Sequence, residues 1–186
     1  YYYPSRYNAL LNDEQRAFCR SIYQFKQGDI HGIEFFKTCM NALQLKKRPY
    51  HIMFMPCSNW IKYGQRFKRL DWYIGKHRQD LTSGLYDVDI CDARESLHEA
   101  KGGEKRILER NYLITGNIKG KEIIIIDDVL TTGQSVADYK EEIERCGGKV
   151  VAAIFYGKTF SMPSMLLVQI HIWGNHIAHI IERMTK

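Results

Sequence analysis

Ile123-Ile124-Ile125-Ile126-Asp127-Asp128-Val129-Leu130-Thr131-Thr132-Gly133-Gln134-Ser135 decides how this 186-residue chain is read. Four consecutive β-branched residues suit a strand covered on both faces, as in the middle of a parallel sheet. Two adjacent carboxylates are expensive to bury, so the pair is expected at the exposed carboxyl edge of that strand. Two hydroxyls, a glycine, an amide and a third hydroxyl follow, leading into a helix over residues 136–146 that Gly147-Gly148 stops. Amides at a helix start attract an anion, and the acids offer acceptors to sugar hydroxyls. The combination suits a ligand carrying both a ribose diol and a phosphate.

Working outward, residues 150–156 read as another buried strand. Strand, helix and strand with short links form a βαβ unit, normally parallel and right-handed. Upstream, residues 51–55 are a short apolar run stopped by Pro56, which is the first core strand. A loop at Cys57-Ser58-Asn59 and a helix from Trp60 towards Lys76 follow it. Residues 86–91 alternate as a strand, residues 112–115 form a short strand and residues 116–121 a turn. Residues 92–111 are strongly charged and contain Gly102-Gly103, the composition of an exposed loop. Ahead of the first strand the pattern predicts helices over residues 12–27 and 30–45, with Gly28 between them. The tail, residues 165–186, is apolar and His-rich, and its pattern assigns no element. The fold class is α/β, with a mostly parallel, Rossmann-like central sheet flanked by helices.

Composition narrows the class. The chain is 45% hydrophobic and 26% charged, as in globular proteins, and is long enough for one domain with a sizeable core. No apolar run approaches the ~18–20 residues that span a bilayer, and Tyr1-Tyr2-Tyr3-Pro4-Ser5-Arg6 lacks the apolar core of a signal peptide. Cys19, Cys39, Cys57, Cys91 and Cys146 are scattered without a C-x-x-C pair. That spacing argues against a disulfide framework or a Cys-rich zinc site, and for reduced thiols in a cytoplasmic protein. The net charge of +6 fits a basic cleft for a polyphosphate or a basic face for nucleic acid, and the charge alone leaves both open.

The run from Ile123 to Gly133 resembles, without a gap, the phosphoribosyl-pyrophosphate (PRPP) signature of the type I phosphoribosyltransferases. The resemblance implies a single domain, with a core over residues 50–158, a small N-terminal helical hood over residues 1–48 that selects the acceptor, and a tail over residues 161–186. Asp127 and Asp128 would hold the ribose hydroxyls, and Thr131, Thr132, Gly133, Gln134 and Ser135 would wrap the 5′-phosphate. Family members place a pyrophosphate loop after the first strand, which here is Cys57-Ser58-Asn59, with Lys62 and Arg66 on the following helix. They place a flexible catalytic loop before the signature, here residues 94–106, where Lys101, Lys105 and Arg106 would stabilise the leaving pyrophosphate. Lys101, Arg106 and Asp128 are the expected catalytic groups, and His98 is the nearest candidate base, although a lone loop histidine is more often solvated. The implied activity is transfer of 5-phosphoribosyl from PRPP to a nitrogen acceptor of small-molecule size. Mg²⁺ would be held mainly by PRPP oxygens and water, so no protein metal motif is expected. A homodimer and a nucleic-acid partner stay open, the latter not favoured.

Pro56-x-Ser58 followed by Lys62 and Arg66-Phe67, and Arg110-Asn111 further on, is similar to the ComF-like branch, although that branch's N-terminal zinc finger has no paired cysteines here. A catalytically silent PRPP or nucleotide-binding regulator, or a ComF-like DNA-related protein, keeps the fold and changes the role. A P-loop nucleotide triphosphatase is disfavoured because no G-x-x-x-x-G-K-[ST] occurs. A receiver domain would cluster its acids near the first strand. His171, His176 and His179 have no carboxylate or cysteine placed as an obvious partner, so packing is favoured over zinc.

Overall fold

A computed structural model describes residues 11–43, 49–91 and 110–159. In chain order these form helices α1 (Asp13–Lys26) and α2 (His31–Ala42), strand β1 (Tyr50–Phe54) and helix α3 (Trp60–His77). Short strands β2 (Leu81–Ser83), β3 (Val88–Ile90) and β4 (Tyr112–Ile114) follow, then strand β5 (Glu122–Leu130), helix α4 (Gln134–Arg145) and strand β6 (Lys149–Lys158). The main sheet has the order β2-β1-β5-β6 with every pair parallel, and β3 and β4 make a separate antiparallel pair. The protein is therefore α/β with a mostly parallel central sheet.

The isoleucine run lies in the middle of that sheet. Ile123 through Ile126 are at most 3% exposed, and every residue of β1 beside them is buried. His51 opposes Ile123 and Phe54 opposes Ile126 across β1 and β5, while Ile126 opposes Ile154 on β6. Each buried isoleucine is worth ~1.5–3 kcal/mol, so a slipped register would be costly. The one buried polar group in β1, His51, bonds Thr82 Oγ1 through Nδ1 and Asp87 Oδ2 through Nε2, both at 2.7 Å, stitching β1 to the β2 side of the sheet.

From the β1/β5 seam the chain moves outward in opposite directions, through α3 to β2 and through α4 to β6. Right-handed crossovers then place α3 and α4 on opposite faces. The carboxyl ends of β1 and β5 lie side by side where the order reverses, the position at which open α/β sheets form a ligand crevice.

The N-terminal helices share the core of the sheet. Asn12 accepts from the Gln15 amide in a reciprocal capping box that starts α1. Gly28 ends it at φ +76, where an added Cβ would stand 2.1 Å from the Gln65 carbonyl oxygen on α3. Phe25 packs on Phe67 of α3 and on Tyr156 of β6, with ring centroids 6.2 and 5.1 Å away. Ile22 closes on β6 so tightly that a Cβ at Gly157 would lie 2.7 Å from its Cδ1. This packing brings the last turn of α1 over the carboxyl end of β5.

Several boundaries differ from the sequence pattern. Strand β5 continues through both acids to Leu130, because β6 runs far enough to pair with Asp127, Val129 and Leu130. Strand β2 was not anticipated, and β3 keeps only three residues of the alternating run, with Tyr86 in the preceding turn. Helix α4 begins at Gln134, two residues earlier than its apolar pattern. Residues 1–10 of the expected hood, the loop carrying Lys101, Lys105, Arg106 and His98, and the tail with His171, His176 and His179 lie outside the described residues.

Candidate functional site

The paired acids are set into β5 and compensated by cations from two helices. Asp128 is 5% exposed, which departs from the expected open edge. The physical reason is charge pairing. Arg66 Nη1 from α3 stands 3.0 Å from Asp128 Oδ2 and 3.5 Å from Asp127 Oδ1. Lys26 Nζ from the end of α1 stands 3.2 Å from the same Asp128 oxygen. Neither cation is aligned for a hydrogen bond on Oδ2, which is a buried acceptor held by charge alone. The remaining carboxylate oxygens accept backbone amides, Asp127 Oδ1 from Asp128 N and Asp128 Oδ1 from Val129 N. Burial, and then repulsion from Asp128, push the Asp127 pKa up.

Beyond Leu130 the chain turns sharply into α4. Gly133 adopts φ +86, the left-handed region that only glycine enters cheaply, and an added Cβ would find only Leu130 Cδ1, at 3.8 Å. No side chain caps this helix start, unlike those of α1 and α3. Its first intrahelical bond is Ala137 N to Gly133 O, so the amides from Gly133 to Val136 have no acceptor within the helix. Gln134 N makes only a long 3.4 Å contact with Thr132 Oγ1. Thr131, Thr132, Gln134 and Ser135 are exposed around these amides. An anion seated here would meet N–H groups and the positive end of the helix dipole, about half a charge.

The loop after β1 completes the crevice. Met55 N donates to Ile126 O, holding the loop against β5, and Asn111 Nδ2 donates to Cys57 O at 2.7 Å. Asn59 is committed as the cap of α3, accepting from Lys62 N, while Lys62 Nζ donates to Ser58 Oγ at 3.3 Å. Cys57 is buried, and burial raises its thiol to about 11; Arg66 pulls it down, while Asp127 and Asp128 push it up. Those influences place the Cys57 thiol within the field of the acids. Cys91 N donates to Asn111 O, so these two described residues meet beside this loop.

Residues 79–159 match the phosphoribosyl transferase domain. The match holds both acids, the uncapped turn and all of α4 and β6. Over 57 residues the chain is 42% identical to an orotate phosphoribosyltransferase of Sulfolobus acidocaldarius, covering 30% of this chain and 26% of that one. Over 98 residues it is 30% identical to the transcriptional regulator GfcR of Methanocella arvoryzae, covering 53% and 38% respectively. A second regulator, GfcR 1 of Methanosarcina barkeri, is 30% identical over 63 residues, covering 34% and 29%. The chain thus spans 26% to 38% of the lengths of these curated relatives.

Across the matched residues 79–159 and the elements before them, the structure brings together Asp127, Asp128, Arg66 and the Cys57 loop. The phosphate-side turn, Thr131 to Ser135, follows directly on the same strand. Arg66, expected beside the pyrophosphate, rests on the two acids. Lys26 carried no signal in the sequence, since a basic residue in the last turn of a helix is ordinary; only the packing of α1 delivers it. Among the described residues no helix is long and apolar enough to cross a membrane.

Proposed function

We propose that the protein transfers the 5-phosphoribosyl group of PRPP to a ring nitrogen of a nucleobase-like acceptor, in the cytoplasm, releasing pyrophosphate. The observation that carries this reading is the juxtaposition, on one strand at the sheet's reversal point, of two compensated acids and an uncapped left-handed turn. A matched phosphoribosyl transferase domain over the same residues supports it. Asp127 and Asp128 accept hydrogen bonds from the ribose 2′- and 3′-hydroxyls. The amides from Gly133 to Val136, with the Thr131, Thr132 and Ser135 hydroxyls, hold the 5′-phosphate. Ser58 and Lys62 face the pyrophosphate, and Lys101 and Arg106 meet the charge it gains as the C1′–O bond breaks and C1′–N forms. The acceptor nitrogen gives up its proton to the departing pyrophosphate or to water, and Asp128 steadies the positive charge on the ribose.

Mg²⁺ fits this site as an ion carried in on the ligand. Among the described residues no group of three His, Cys, Asp or Glu side chains is placed to hold a metal alone. Asp127 and Asp128 supply the acidic neighbours such an ion would have, although Asp128 Oδ2 already faces Arg66 and Lys26. The ion would supply charge neutralisation on pyrophosphate.

Titrating PRPP with Mg²⁺ into the wild type, Asp127→Asn and Asp128→Asn tests the binding half. Micromolar binding lost in both variants is the expected result, and equal heats in all three would overturn the reading. A screen of purine and pyrimidine bases for pyrophosphate release then tests the transfer. The second reading, a PRPP-sensing regulator, is favoured by the two relatives named as transcriptional regulators. Binding without turnover on any base is its signature. The ComF-like affiliation rests on Pro56-x-Ser58, Arg66-Phe67 and Arg110-Asn111, and belongs to this same regulatory alternative.

A further inference from the structure

Helix α3 carries Lys62, Arg66, Lys68, Arg69 and Lys76 against one acid, Asp71, a large share of the chain's excess charge. Arg66 turns inward to the acids of β5. Lys68, Arg69 and Lys76 face solvent with Ile61, Gln65 and Trp72, a set recurring every three to four residues and therefore one stripe along the helix. Many other surface cations are neutralised at close range, Arg16 by Asp13, Lys37 by Glu34, Arg78 by Asp80, Lys140 by Glu144, and Lys149 by Glu122, whereas among the described residues the exposed Arg20, Lys119 and Lys158 have no such pair but lie on other elements. Among the described residues Lys68 and Arg69 reach no carboxylate. Trp72 is 55% exposed, with Lys76 Nζ 4.9 Å from its ring centre. An open cleft of about 460 Å³ adjoins the stripe, lined by Gln27, Gly28, Trp60, Gly64, Lys68 and Arg69. Its floor at Gly64 is clear, since a Cβ there would meet nothing within 4 Å.

We propose that this stripe and cleft form a track for single-stranded nucleic acid, separate from the acid-and-turn site and independent of the transfer reading. Along α3, Lys68 and Arg69 stand between two exposed indoles, Trp72 one turn or ~5.4 Å further on and Trp60 about two turns back. A single strand presents phosphates and free base faces, and its recognition combines a basic groove with stacking platforms. Lys68 and Arg69 meet phosphates, Trp72 stacks a base, and the cleft beside Trp60 receives the neighbouring base. An acidic peptide would meet the cations and leave both indoles unused. A duplex would bury its base faces and do the same.

The test is fluorescence anisotropy with labelled dT20 and U20 on the full chain across ~50–200 mM salt. Lys68→Gln/Arg69→Gln should flatten the slope of log affinity against log salt by about 1.4, two single-strand phosphate contacts. Trp72→Ala should weaken binding about 5- to 150-fold with the slope unchanged, and Trp72→Phe should keep most of it. Lys140→Gln/Lys149→Gln, on other surfaces, should bind as wild type does. All substituted side chains are solvent-facing, and melting curves verify that each variant is folded. The proposal is overturned if neither oligonucleotide binds at the lowest salt, or if the Lys68/Arg69 and Trp72 variants bind like the control. It is equally overturned if polyglutamate, anionic vesicles or duplex DNA of matched charge displaces the single strand at equal concentration.

Discussion

Asp127→Asn should stabilise the protein at neutral and alkaline pH, and the gain should disappear in acid. Asp127 lies largely out of water beside Asp128, which raises its pKa from 3.8 to about 7. A carboxyl with a raised folded pKa binds its proton more tightly in the native chain than in the unfolded one. Its contribution to stability therefore declines as pH climbs from about 4 to about 7. Below that window both states are protonated and nothing is lost; above it both are ionised and the whole cost is present. A gap of about three pH units is worth ~4 kcal/mol at full ionisation.

The attraction of Arg66 Nη1, 3.5 Å from Asp127 Oδ1, is already contained in that raised pKa; what opposes the gain is the new amide NH2 set beside the same guanidinium. The amide retains a side-chain oxygen that can accept the Asp128 N–H, now at 2.7 Å. The net expectation is ~1–3 kcal/mol of added stability at pH 8, shrinking towards zero by about pH 5. For a chain of this length each kcal/mol raises the melting midpoint by about 2–4 °C. Melting curves of the two proteins at pH 5, 6, 7 and 8 read this directly. A variant that melts lower at pH 8, or by a margin that ignores pH, would refute the account of Asp127. The same substitution should abolish PRPP binding, a stability gain where a ligand site is lost.

Arg66→Gln leaves two buried carboxylates with Lys26 as their remaining described cation, and should cost ~2–4 kcal/mol in urea denaturation. Adding Asp128→Asn should restore part of that loss, and strict additivity would show that the pair is not coupled. Gly133→Ala forces a β-carbon into the left-handed region at ~1–2 kcal/mol. It should also weaken PRPP binding in the titration, whereas an unchanged affinity would separate this turn from the phosphate. Cys57, with its thiol raised to about 11, should resist Ellman's reagent at pH 8 in the native protein and react after unfolding. Rapid native labelling, mapped to Cys57 by mass spectrometry, would contradict its burial.

The sequence was most readable where one physical effect dominates. Four isoleucines in a row admit little but a strand covered on both faces, and that strand is β5. The helix start at Asn12 and the stop at Gly28 are local chemistry and lie where expected. The acids were harder. Their adjacency announced a site, but the expectation of an exposed edge treated burial as uncompensated. The compensation comes from Arg66, which lies 61 residues upstream of Asp127, and from Lys26, which is farther still. Long-range pairing of this kind leaves no periodicity or spacing to detect. Strand β2 escaped for a related reason, since three residues carry no pattern and exist as a strand only because β1 offers an edge.

The matched span of residues 79–159 is not the physical unit. It begins after β1 and α3, yet β5 has β1 as its neighbour along His51–Phe54, register for register. Cut free, the four isoleucines would face water along an unpaired edge, the arrangement that natural sheets avoid because it invites aggregation. The span would also leave Asp128 without both of its cations, since Lys26 and Arg66 lie upstream. Removing one partner of a buried ion pair typically costs ~3–5 kcal/mol, a large part of a domain's whole stability. The acids can therefore be held out of water only by a chain that includes α1, β1 and α3. The residues that make the site distinctive, the cations over the acids and the loop at Cys57, belong to the part that the family match does not reach.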